Sequence, residues 1–122
     1  MQYMLLIYGN EAVANERFAQ LSDEERGQEY GRWNTYTEEL KAAGVFKSGD
    51  GLQPSAEAKT VRGNGSEPLV TDGPFAETKE QLGGFYIVEV PGESEALDWA
   101  SKMPNLPHGS VEVRPVMIYE GM

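Results

Sequence analysis

Residues 2 to 8, Gln-Tyr-Met-Leu-Leu-Ile-Tyr, are apolar on both alternating faces, the pattern of a strand covered on both sides in the middle of a sheet. Gly9 to Gln20 has no clean period and is expected to be the first loop, with room for one helical turn. Ser22-Asp23-Glu24-Glu25 then fits a capping box, in which the serine hydroxyl accepts from the backbone near Glu25 and the glutamate reaches back. Three consecutive acids also complement the positive end of a helix. The helix that starts here carries an inner stripe of Tyr30, Trp33, Thr37 and Leu40, and Gly44 closes it as a C-terminal cap.

Val45 to Leu52 reads as a short strand, broken or bulged at Gly49-Asp50-Gly51. Ala58 to Arg62 and Leu69 to Thr71 are extended around the turn residues Gly63-Asn64-Gly65, which predicts a hairpin. Asp72-Gly73-Pro74-Phe75 is a turn, and Gly83 to Val90 is a strong strand. Phe85, Ile87 and Glu89 fall on one face of that strand, and Tyr86, Val88 and Val90 on the other. Ser94 is expected to cap a second helix that runs to near Met103, with Ala96, Leu97, Ala100 and Met103 inward and Pro104 as the stop. Val111 to Tyr119 is the last strand, where Pro115 requires an edge position or a bulge.

The order β, α, a β-rich middle, β, α, β predicts an α+β fold. Its expected form is a ferredoxin-like βαββαβ-type sandwich with an inserted β-hairpin region, two helices covering one face of an antiparallel sheet. The first strand and Gly83 to Val90 nevertheless carry large apolar side chains on both faces. An uncovered sheet face would be a hydrophobic patch beyond what soluble monomers expose. The economical cover is the same face of a second copy, giving a homodimer paired through its sheets. The alternative is that residues 45 to 80 fold back over the sheet.

At 122 residues the chain is expected to be a single domain over 1–122. A compact fold of its 13.5 kDa mass should expose on the order of 6,500 Å². Twenty acidic residues against ten basic ones give a net charge of −10, which repels phosphate backbones and argues against direct nucleic-acid binding. Cysteine is absent and His108 is the only histidine, so thiolate chemistry and most histidine metal sites are excluded. The longest apolar run is too short for a membrane span and lacks signal-peptide flanks, so no membrane association and a cytoplasmic location are expected. Asn64-Gly65-Ser66 then matches a glycosylation acceptor by chance. The glycines at 49, 51, 63 and 65 form no dinucleotide or P-loop pattern, and no cofactor is expected.

Asp72-Gly73-Pro74-Phe75-Ala76-Glu77-Thr78-Lys79-Glu80 is followed by Gly83-Gly84-Phe85-Tyr86, then by Ala96-Leu97-Asp98-Trp99-Ala100 and Val111-Glu112-Val113-Arg114-Pro115-Val116. This ordered set, with Met4-Leu5-Leu6-Ile7-Tyr8 at the start, closely resembles the DGPF branch of the YCII-related family over nearly the whole chain. The resemblance implies a ferredoxin-like domain that pairs through its sheets, the dimeric α+β barrel architecture. Some relatives of that family are suspected enzymes because a histidine and an aspartate face a cleft, and some DGPF proteins are linked to extracytoplasmic-function sigma factors. Barrel relatives include monooxygenases, lactone isomerases and haem-handling enzymes, among which fold does not choose.

Asp72 is the first candidate for chemistry: a carboxylate fixed in a turn can serve as a general base if its surroundings raise its pKa, or it can simply close an Asx-turn on Pro74-Phe75. His108, in Pro107-His108-Gly109, is the one side chain suited to proton transfer near neutrality, against the alternative of a solvated loop histidine. Pairing Asp72 with His108 is a reading of these residues, not something the resemblance carries over. Arg114 either pairs with an acid such as Glu112 or Glu89 or binds an anionic ligand group. Trp33, Phe75 and Tyr86 either line an apolar pocket or belong to the core. Carboxylate-only magnesium or calcium sites stay open, although no EF-hand spacing occurs. Two functions therefore stand side by side. One is a small-molecule-binding protein or acid/base enzyme with its pocket near Asp72. The other is a regulatory module that binds a partner protein such as a sigma factor.

Overall fold

The computed structural model describes residues 1–63 and 65–120, so Asn64 of the expected turn lies outside the described residues. Four antiparallel strands, β1 (Gln2–Gly9), β2 (Phe46–Gly51), β5 (Gln81–Glu89) and β6 (Ser110–Pro115), form one sheet in the order β2-β5-β1-β6. The remaining strands, β3 (Lys59–Arg62) and β4 (Leu69–Asp72), pair only with each other. Both long apolar strands therefore take the central positions that their two-sided hydrophobicity requires, and Pro115 sits on an edge strand where its missing N–H is harmless. This is the expected ferredoxin-like α+β sandwich with a hairpin inserted between β2 and β5.

The helices lie against one face. Tyr3 and Leu5 of β1 and Tyr86 and Val88 of β5 pack with Tyr36 and Leu40 of α2 (Asp23–Ala42) and with Ala96 and Ala100 of α3 (Glu93–Ala100). Alternation places Met4, Leu6, Phe85 and Ile87 on the opposite face, where they are half-buried among their own neighbours. Residues 45 to 80 do not form a lid of the core: Val61, Leu69, Val70 and Phe75 of the hairpin region are all exposed.

The capping box at Ser22 forms as expected, and its hydrogen bond holds the Glu25 carboxyl below the usual carboxylate range. At the far end Gly44 adopts φ +74°, with Gly44 N–H donating to Lys41 O and Val45 N–H to Leu40 O, a Schellman stop. The inner stripe is shifted from its expected course. Tyr30 is exposed and packs edge-on against Phe18, while Tyr36 takes the buried position.

Five details differ from expectation. Residues 11 to 19 form α1 (Glu11–Ala19) rather than a loop; Asn10 caps it through Val13 N–H, and because none of its residues is buried it shows no hydrophobic period. The bulge in β2 falls between Phe46 and Ser48, ahead of the glycines. The α3 cap falls on Gly92, which leaves Ser94 inside the first turn and Leu97 exposed. Met103 lies beyond the helix yet is still buried, held by its N–H bond to Ala100 O. The last strand stops at Pro115, four residues short of Tyr119, and Met117, Ile118 and Tyr119 are exposed.

Leu40 is fully buried, so Leu40→Ala should cost about 2–5 kcal/mol in chemical denaturation, against about 1 kcal/mol for Ser22→Ala. Tyr36, only 3% exposed, donates to Trp99 O at 2.7 Å; burial, with Tyr86 and Glu39 nearby, pushes its phenol well above the ordinary tyrosine value. The folded state then holds this proton more tightly than the unfolded chain. Its contribution is complete below pH about 10 and is lost progressively as pH rises above that. Tyr36→Phe should flatten the alkaline fall in urea stability, and an unchanged slope would remove Tyr36 as its source.

Candidate functional site

A cleft of about 420 Å³ opens between α2 and the end of the sheet formed by β2 and β5, within the size range of small-molecule sites. Glycines shape its floor. Gly51 pairs with Gly84 and Gly49 with Tyr86, so three positions facing the helices at this end carry no side chain. Two of them admit none: a Cβ on Gly49 would lie 2.6 Å from Tyr86 Cδ1, and one on Gly84 would lie 2.8 Å from Asp50 O. A Cβ on Gly51 would meet nothing within 4 Å and would enter open space. Trp33 from α2 and Phe46 from β2 contribute aromatic rings, and Phe46 meets Tyr86 edge-on at 6.3 Å between centroids.

The polar centre of the cleft is a pair of hydroxyls. Thr37 Oγ1 donates to Trp33 O at 3.0 Å, one turn back in its own helix, and lies 2.6 Å from the Tyr86 hydroxyl. Either hydroxyl can donate in the Thr37–Tyr86 contact. Asp50 borders the cleft through its backbone, since its pairing with Phe85 puts its side chain on the opposite face of the sheet, and no lysine, arginine or histidine lines the cleft among the described residues.

A second cleft of about 260 Å³ shares Ile7, Trp33 and Gly83 with the first and is lined on its other side by Arg17, Glu29, Asn105 and His108. Arg17 lies 3.6 Å from Glu29. Asn105 Nδ2 donates to Ser110 O at 3.0 Å, and its buried Oδ1 has no partner. A wider groove of about 700 Å³ between α2 and the chain after α3 is bordered by Gln28, Arg32, Glu39 and Lys102, a polar surface rather than an enclosure.

The residues singled out from sequence divide among these places. Trp33 and Tyr86 meet in the first cleft, and Trp33 also borders the second beside exposed His108. Asp72 lines neither: it ends β4, exposed, and accepts from Lys59 Nζ at 2.6 Å across the hairpin ladder instead of closing an Asx-turn. Phe75 is 72% exposed, under the Arg62 guanidinium at 4.6 Å from the ring centroid. Arg114 is exposed on β6, 3.9 Å from Glu112, the structural pairing weighed above. The Asp-Gly-Pro-Phe segment thus closes the hairpin: Gly73 takes φ +96°, its N–H donates to Ala58 O at 2.7 Å, and its carbonyl accepts from Thr60 Oγ1 at 2.8 Å. Sequence reasoning missed Phe46 and the bare floor, although Gly49, Gly51 and Gly84 were visible as glycines inside strand patterns, a sign of close backbone approach.

Among the described residues no group of three or more histidine, aspartate or glutamate side chains is placed to hold a metal ion, and no helix is long and apolar enough to cross a membrane. The family model of the YCII-related domain matches residues 1–120. The chain is also 37% identical over 123 residues to an uncharacterized protein of Rhizobium meliloti (strain 1021), an alignment that takes in 98% of this chain and 95% of that protein.

The floor yields a paired prediction. Gly49→Ala drives its new methyl into the Tyr86 ring and should destabilise by about 1–3 kcal/mol. Gly51→Ala meets no atom and should leave the denaturation midpoint within about 0.5 kcal/mol of the parent. Equal effects at the two positions would contradict the packing described.

Proposed function

The chain belongs to the YCII-related domain family, and from that premise we propose that it is a small-molecule-binding protein that works as a homodimer, with its ligand in the cleft between α2 and the β2–β5 edge. The observation that carries the ligand site is the glycine floor under two aromatic rings, with the Thr37–Tyr86 hydroxyl pair beside it. Enclosed apolar walls with a few fixed polar atoms are what small-molecule recognition requires. In this reading Asp72 belongs to the hairpin and not to the binding machinery, and His108 lines the adjoining cleft across the Trp33 wall.

The dimer is supported by area. The chain exposes 8723 Å², against roughly 6,500 Å² for a compact monomer of this mass, an excess of roughly 2,200 Å². A standard interface covers about 800 Å² per partner. Met4, Leu6, Phe85 and Ile87 supply an apolar sheet face for it. A second reading, a protein-binding module, rests on the exposed apolar side chains of the hairpin: Val61, Leu69 and Val70. Partners of the sigma-factor kind would dock there.

Light scattering on the purified protein should give twice the chain mass at micromolar concentration, and Leu6→Lys should halve it while keeping the far-UV spectrum; a parent of single-chain mass would remove the dimer. For the ligand site, a thermal-shift screen of small metabolites should find hits that Gly51→Leu, which fills the cleft, abolishes. Hits that survive Gly51→Leu would place binding elsewhere.

A further inference from the structure

We propose that the cleft takes a flat, uncharged ligand whose polar group both donates and accepts hydrogen bonds, as a carboxamide or a hydroxyl on a ring does. This inference rests on the α2–sheet cleft being the binding site and adds the ligand's chemical class. It follows first from the electrostatics of the lining. No lysine, arginine, histidine or glutamate lines the cleft among the described residues, and Asp50 borders it through its backbone, with its carboxylate on the far face of the sheet. No helix end is aimed into it either. Trp33, Asn34 and Thr37 lie more than one turn from either end of α2, and the floor is strand, whose net dipole is small. Lys41, over the Phe46 ring at 5.3 Å, lies 3.8 Å from Glu38, and Arg17, beyond the Trp33 wall, lies 3.6 Å from Glu29, so each already faces a carboxylate. A charged ligand group of either sign would give up water here without gaining a counter-ion.

The polar groups that the lining does hold are neutral, and most of them are two-sided. Thr37 and Tyr86 carry hydroxyls 2.6 Å apart, and since either can donate in that contact, the pair can turn a proton or a lone pair toward a ligand. The Asn34 amide offers both an NH₂ and a carbonyl, and the Trp33 indole adds an N–H donor. A carboxylate brings acceptors alone and an ammonium donors alone. A carboxamide or hydroxyl brings both, and so matches whichever arrangement the hydroxyl pair adopts. Shape restricts the body that carries this group. The backbone is bare at Gly49, Gly51 and Gly84, and around that floor stand Trp33 and Phe46, the latter edge-on to Tyr86 at 6.3 Å between centroids. A planar ring fits such a seat and meets the aromatic walls offset or edge-on.

Three probes of nearly one shape separate the possibilities: benzamide, benzylammonium and benzoate at neutral pH, each titrated to about 10 mM into isotopically labelled full-length protein. An ionic strength of about 0.15 M keeps the screening length near about 8 Å, so that the chain's net charge of −10 does not decide between the two ions. Amide shifts at Gly49, Gly51 and Gly84 and the Trp33 indole report the site. Benzamide should bind there at least about tenfold more tightly than either ion. Tyr86→Phe keeps the ring, removes the hydroxyl and should weaken benzamide severalfold, while Gly51→Leu should abolish its shifts at Gly49 and Gly84. An ion that binds within that tenfold margin, or benzamide binding unmoved by Tyr86→Phe, would overturn the ligand class and leave the cleft itself standing. Absence of shifts at these residues with all three probes, or shifts at Gly49 and Gly84 that survive Gly51→Leu, would overturn the class and the binding site together.

Discussion

Two helices of ordinary width can shield one face of a four-stranded sheet, and the central strands here are apolar on both. Tyr3, Leu5, Tyr86 and Val88 satisfy the helix side completely, whereas Met4, Leu6, Phe85 and Ile87 are half-buried on the other. Burying that second face at about 25 cal/mol per Å² is a larger driving force than any single polar contact in the molecule. The arrangement of everything else follows from which face the helices chose. With α2 and α3 on the Tyr86 face, the cleft lies at its end under α2, and the β3–β4 arm pairs only with itself.

The cleft exists because the covered face runs out of side chains before it runs out of helix. α2 continues past Leu40 toward its N-terminal half, and there Trp33 and Thr37 look down on Gly49, Gly51 and Gly84. Filling that gap with ordinary strand residues is blocked at Gly49 by the Tyr86 ring and at Gly84 by the Asp50 carbonyl. The same ring that forbids the Cβ supplies the hydroxyl at the centre of the site, so the cavity and its polar group share one cause.

Much of the fold was legible because burial leaves a period. The capping box at Ser22, the Gly44 stop, the hairpin and the edge position of Pro115 all follow from local chemistry that acts over a few residues. α1 was illegible because a helix with no buried residue has no reason to be periodic. The site was half legible. Trp33 and Tyr86 stand out as aromatics at core spacing, but the floor is written in glycines, which announce a close approach without saying to what. For Asp72 the sequence leaves a general base and a turn-closing carboxylate side by side; its partner, Lys59, sits 13 residues away across a ladder that only three dimensions reveal.

Glu11 joins parts of the chain that sequence keeps far apart. Its carboxylate accepts from Ser55 N–H at 2.8 Å and Ser55 Oγ at 2.6 Å, and its backbone N–H donates to Gln81 Oε1 at 2.9 Å. Both roots of the inserted arm are therefore clamped to the start of α1. A loop whose ends are already pinned is nearly indifferent to its own length, because closure entropy changes only logarithmically with the number of residues enclosed. The stretch between Ser55 and Gln81 is thus the part of this molecule that can be shortened, extended or exchanged for another sequence while the sandwich behind it stays in register.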